Sequence, residues 1–219
     1  MPRVKQMPLS EAHPRAQTYY DAVFNGRCPV RHPGTESGSP GHWWTTLALR
    51  PYVFDHALDL PKMYGFFADR SVSLLASDLR ELAIGRMAFI AGSQFVFSQR
   101  CKALRRMGLS EEQIDSLPSW AVADIWTAQQ RAVLAYTDAV VQDFGRVPDG
   151  VFSELQKHLG DEDIMELTYF ICSYMQHAAF IKALRLEFDD VPERVIEVPL
   201  PPGKDLGAFS ARYGVDKKA

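Results

Sequence analysis

Leu79-Arg-Glu-Leu-Ala-Ile-Gly-Arg-Met-Ala88 is followed by Gly92-Ser-Gln-Phe-Val-Phe-Ser-Gln-Arg100 and by Arg105-Arg-Met-Gly-Leu-Ser-Glu-Glu-Gln-Ile114. In the first stretch Leu79, Leu82, Ala83, Met87 and Ile90 recur at helical intervals, behind Asp78 and Glu81 at the spacing of a capping box. The helix is expected to run on through Gly92 over residues 93–107 and to end at Gly108, a residue suited to the left-handed turn that closes helices. Ser110 and Gln113 then form a second capping box and open the next helix.

Helical signals continue outward on both sides. Thr127 and Gln130 make a third capping box, Pro148 or Asp149 opens a helix ending near Gly160, and a long one is expected from about Asp163 to Leu186. On the N-terminal side, Ser10 to Phe24 reads as the first helix. Residues 25–42 crowd Gly, Pro, Ser, Arg and His around Cys28, a loop too long for a plain connection and so functional or mobile. His42-Trp43-Trp44 opens a short helix that stops before Pro51, and the aromatic stretch 51–68 forms one or two short helices interrupted at Pro61. Four prolines between Val191 and Gly203 make the C-terminal stretch an extended arm. Nothing in the pattern argues for strands. Seven to nine helices with short connections imply an all-α bundle, here a single domain over residues 1–219.

Composition excludes several function classes. The 219 residues are 47% hydrophobic and 23% charged, with a formal net charge of −3 and no basic stripe, so nucleic acid is not an expected partner. No run of about 18 uncharged apolar residues suggests a membrane span, and the N-terminus lacks the apolar core of a secretory signal. Cys28, Cys101 and Cys172 are odd in number and widely spaced. A reducing cytoplasm is expected, without a disulfide framework. The histidines are too scattered for a metal set, so neither a metal nor another cofactor is expected.

The quoted core, with Gln130-Arg-Ala-Val-Leu-Ala-Tyr-Thr-Asp138 and Met165-Glu-Leu-Thr-Tyr-Phe-Ile-Cys-Ser-Tyr174 after it, resembles the carboxymuconolactone decarboxylase family, which includes the alkyl hydroperoxidase D (AhpD) type peroxidases. The resemblance extends from about Trp44 to Pro199. It implies an AhpD-like helical bundle and a homo-oligomer, a trimer or a hexamer. The apolar surface of residues 164–186 and the Pro-rich tail at 190–219 suit subunit packing.

The resemblance also assigns positions, and the chain departs from them. Projected from Gly108, the peroxidase branch's two cysteines fall on Ser93 and Val96 and its histidine on Arg100, while its upstream glutamate falls on Glu81. In the decarboxylase branch a Glu and a His four apart face the cavity, and these positions are again Val96 and Arg100. A hydroxyl cannot follow the sulfenic acid route of a peroxidatic thiol. Cys101 points roughly 100° away from Arg100 on a helix, and Cys172 lies in an apolar run that suits an inert core thiol.

The remaining chemistry centres on Arg100, Glu81 and His177. A guanidinium is no general base at neutral pH, but its fork suits a carboxylate or a developing anion. His177, the one histidine inside an apolar helix, suits proton transfer and shares a helix face with Tyr174. Each has a plainer reading: a surface arginine, an exposed N-terminal carboxylate and a satisfied core histidine. Ser93, Val96, Phe97, Trp43, Trp44, His56, Tyr64 and Tyr174 are candidate substrate contacts, with core packing the plainer reading for the aromatics and a solvated helix end for His56. Arg86, in an apolar stretch, calls for a carboxylate partner, either Glu166 or Asp138.

Three functions are compatible with this reading. The first is a non-redox decarboxylase, lyase or isomerase acting on a small anionic, cyclic or aromatic molecule. The second is a non-catalytic binding or scaffold protein on the same bundle. The third is a residual peroxidase using Cys101 or Cys172.

Overall fold

A computed structural model describes residues 2–35, 39–64 and 75–187. Among these residues there are ten α-helices and no strand, so the all-α expectation holds. Before the long helices come α1 (Pro14–Phe24), α2 (His42–Leu47), α3 (Pro51–Ala57) and α4 (Asp59–Met63). The body is built from α5 (Ser77–Ile90), α6 (Gln94–Arg106), α7 (Glu111–Ser116), α8 (Ala128–Gln142), α9 (Asp149–Gln156) and α10 (Asp161–Leu184). None is long and apolar enough to cross a membrane.

The centre of the molecule is α5. Every residue from Leu79 to Ala88 is buried, and the helix packs against α6, α8 and α10. A helix enclosed on all sides is usually apolar all round, yet this one carries Arg80, Glu81 and Arg86 inside the core. Each of these charges needs a partner.

The expected run through Gly92 does not exist. Gly92 adopts φ +60°, Gly92 N donates to Phe89 O at 3.0 Å, and Ser93 N donates to Ala88 O at 2.9 Å, a Schellman closure that ends α5. The chain then reverses into α6, which ends in the same way. Gly108 has φ +91°, with Gly108 N on Arg105 O at 3.0 Å and Leu109 N on Leu104 O at 3.1 Å. The resulting helical hairpin brings Arg100 back beside Glu81, which a continuous helix would have carried away.

The capping boxes of Ser110 with Gln113 and Thr127 with Gln130 are both formed. That of Asp78 is not: α5 begins two residues earlier, its cap is Ala76, and Glu81 is turned into the core instead of back to the helix start. Pro61 does not interrupt the chain but lies inside the single turn of α4, early enough that no helical N–H is missed. The last helix runs two residues earlier at each end than expected and stops at Arg185, in left-handed backbone. Residues 65–68 and the proline-rich arm at 191–203 lie outside the described residues.

Among its described residues, the long loop is held by hydrogen bonds: Arg27 donates to the carbonyls of Phe24 and Gly34, and Thr35 and Ser39 bond to each other. It ends at Gly41, in left-handed backbone at φ +82°, where an added Cβ would stand 2.4 Å from Phe24 Cε1.

Candidate active site

Glu81 is 1% exposed, on the inner face of α5. Two guanidinium groups reach it. Arg100 of α6 donates from Nη1 to Glu81 Oε2 at 2.8 Å, and Arg80 approaches from Nε to Glu81 Oε1 at 3.4 Å. Arg80 is buried, its Cζ 4.3 Å from the centroid of the Tyr64 ring and 5.3 Å from that of Phe170. The Arg100 Cζ lies 5.3 Å from the Tyr174 ring and 5.8 Å from the Tyr64 ring. Such cation–ring contacts favour a cation that has lost its water.

Tyr64 follows the last turn of α4 and packs edge-on against Phe170 at 5.2 Å and Tyr174 at 5.9 Å. Phe170, Tyr174 and His177 stand four and three residues apart along one face of α10. The His177 ring is 5.5 Å from Tyr174, 5.2 Å from Trp43 of α2 and 6.3 Å from Phe95 of α6. Four helices and the end of α4 thus converge on one cluster.

The electrostatics follow from burial. Burial opposes the charge on Arg100, but Tyr174, Glu81 and Tyr64 outweigh it and hold the guanidinium above its ordinary pKa. Burial, with the Arg100 charge adding to it, pushes His177 down to about 3, so its imidazole is neutral at physiological pH. Burial also lifts the Tyr64 phenol well above its usual range, Tyr174 adding to the effect and Arg100 opposing it. Among the described groups in direct contact, two guanidinium cations share one carboxylate, which leaves one positive charge uncompensated. Arg100 Nε is buried with no hydrogen-bond partner among the described residues.

Of the residues singled out in the sequence, Arg100, Glu81, His177, Tyr174, Tyr64 and Trp43 come together here. Ser93 occupies the N-cap position of α6 without a side-chain capping bond, its buried hydroxyl having no hydrogen-bond partner among the described residues, and Val96 is buried one turn before Arg100. Phe97 packs on Phe89, whose ring also lies against Arg86, and so belongs to the core on that side. Trp44 packs between Trp43 and Phe54, and is a packing residue of the α2 and α3 region. His56 is exposed in the last turn of α3, in keeping with the plainer reading of a solvated helix end. Cys172 is corrected: it faces out from α10 and is exposed, while Cys101 is fully buried, and none of the three cysteines is in a disulfide.

Sequence reading missed Arg80 and Phe170 as members of the cluster. The heptad-like stripe from Phe170 to His177 was available as a signal for one of them. Arg86 takes Asp138 as its carboxylate, through Nε at 2.6 Å and Nη2 at 3.0 Å, and also donates to the carbonyls of Leu117 and Pro118. Glu166 instead accepts from Leu75 N at 3.0 Å.

The carboxymuconolactone decarboxylase family model matches residues 63–139, a stretch that holds Glu81, Arg86, Arg100 and Asp138. An uncharacterised protein of Bacillus subtilis, YdfG, is 26% identical over 93 residues, 42% of this chain and 63% of that protein. This chain thus spans less than two thirds of that relative's length. A crystal structure of a protein of unknown function from Agrobacterium tumefaciens, a candidate AhpD antioxidant defence protein, is 26% identical. It has a TM-score of 0.57 and covers 64% of this chain and 92% of its own. An uncharacterised peroxidase-related protein of Ralstonia eutropha with an AhpD core gives a TM-score of 0.67 at 16% identity, over 86% of this chain and 93% of that one, a likeness of fold. The match over residues 63–139 and the shared helical scaffold support a carboxymuconolactone decarboxylase-like chain with an AhpD-like fold.

Proposed function

We infer that the chain is a non-redox enzyme of the decarboxylase, lyase or isomerase type, acting on a small anionic molecule that is cyclic or aromatic. One observation carries this reading: among the described residues, the Arg80, Glu81 and Arg100 group holds one positive charge more than its carboxylate balances, with a buried Arg100 N–H left over. A buried unpaired charge is costly, and an anionic ligand would neutralise it. The rings of Tyr64, Trp43, Phe95 and Tyr174 give the group an aromatic surround, the kind of contact a ring-shaped molecule would use.

Roles follow from charge. Arg100 holds the carboxylate or the anion that develops during reaction. His177 takes or returns the proton. A base near pKa 3 is weak, but part of that weakness comes from the Arg100 charge, and a bound anion cancels it. The substrate then raises the basicity of the group that acts on it, towards the range where proton transfer is effective. The same reading places the protein in the cytoplasm as a homo-oligomer, supported by Met165 and Tyr169, which stand 64% and 49% exposed on the outer face of α10.

A second reading, a non-catalytic binding or scaffold protein, is favoured by the closed Glu81 and Arg100 ion pair. Titration with benzoate, followed by tryptophan fluorescence, separates the two. Binding by the unaltered chain and at least a tenfold loss in Arg100→Met, equal to about 1.4 kcal/mol, is the expected result. No binding, or equal binding by a folded Arg100→Met, removes the anion-holding role. Carbon dioxide release from a panel of cyclic carboxylates then reports on turnover.

A further inference from the structure

Beyond Leu184 the chain turns at Arg185, in left-handed backbone, and this turn lays Glu187 against α2. Its carboxylate is 2% exposed and accepts from Trp43 N at 2.6 Å through Oε1 and from Gly41 N at 3.2 Å through Oε2. One residue away, Leu186 O meets His42 Nδ1 at 2.8 Å. The amides of a helix's first turn have no partners within the helix, and α2 has no side-chain cap of its own. A residue 144 positions downstream supplies it.

We propose that Glu187 is a positioning residue of the site: by fixing the first turn of α2, it holds the Trp43 indole against His177 and keeps water from that side of the imidazole. The inference rests on the reading of His177 as the proton acceptor. The amide gripped most tightly belongs to the residue whose ring lies 5.2 Å from the imidazole. The groups facing His177 are Trp43 from α2, Phe95 and Arg100 from α6, and Tyr174 from its own helix. Arg100 is the formal charge among them, and it does not depend on α2. Loosening α2 therefore changes the hydration of His177 and leaves its charged neighbour in place.

The test is an NMR titration of the His177 imidazole in the full chain, unaltered and as Glu187→Ala, Glu187→Gln and Lys182→Ala. The last removes a different tie of the same helix end, the bond from Lys182 Nζ to Ala91 O. In Glu187→Ala the imidazole is expected to titrate about two units higher than in the unaltered chain, as hydration returns. Glu187→Gln, which keeps one acceptor, should fall between, and Lys182→Ala should leave the titration unchanged. An unmoved His177 in Glu187→Ala, or an equal rise in Lys182→Ala, overturns the proposal. Should Glu187→Ala fail to fold, Glu187→Gln decides: a rise of about one unit supports it and no rise overturns it. No substrate enters the measurement, so a chain without turnover can still show the shift, and the two readings fail separately.

Discussion

Arg100 is half-buried against Glu81, and its surroundings explain how a cation is kept inside. It has a carboxylate on one side and phenol rings around it. His177 bears the consequence. The unfolded chain's imidazole takes up its proton near pH 6.5 and the folded one only near 3. Between those values the unfolded state binds more protons, so stability falls as pH falls, by up to about 1.4 kcal/mol per unit. Urea unfolding from pH 7.5 to 5 should therefore lose more stability in the unaltered chain than in His177→Gln. Parallel curves would mean that the imidazole is hydrated. At this scale the sequence was legible for His177, a polar residue in an apolar helix, while Glu81 and Arg100 were picked out through the resemblance. It was not legible for Glu187, whose role depends on a turn at Arg185 and a contact with a helix far upstream, neither of which has a local signature.

At the scale of elements, caps whose two halves lie three residues apart were readable, and those of α7 and α8 are formed. The break between α5 and α6 was not, because apolar residues continue at helical spacing on both sides of Gly92 and only the backbone angle shows the reversal. Gly41 is the position where backbone freedom matters most. Its left-handed conformation and the 2.4 Å approach of a Cβ to the Phe24 ring both resist a side chain. Gly41→Ala is expected to cost about 2–4 kcal/mol, from backbone strain and overpacking together, as measured by urea unfolding. A cost below about 1 kcal/mol would mean that the loop shifts freely away from Phe24.

For the molecule as a whole, α5 is the shared wall of every neighbouring layer, and Arg86 is its tie. The guanidinium joins α5 to Asp138 of α8 and to the carbonyls of Leu117 and Pro118, while Trp120 Nε1 donates to the same Asp138 at 3.0 Å. Arg86→Met leaves that carboxylate without its cation and should lower stability by about 3–5 kcal/mol. Adding Asp138→Leu should recover part of the loss, and thermal melts of both variants check this. That Arg86 needed a carboxylate was visible from its apolar flanks. Which of two acids would supply it was not, since the choice rests on how α8 and α10 lie across α5.

The guanidinium of Arg100 keeps its proton at any acidity a cell reaches, so the electrical attraction of this cluster is a fixture and never a switch. An imidazole in its place would have to hold the guest and shuttle the proton by turns, losing its grip whenever it gave the proton up. In the proposed reaction the grip and the shuttle fall to separate side chains on separate helices, coupled through the charge that one sets beside the other.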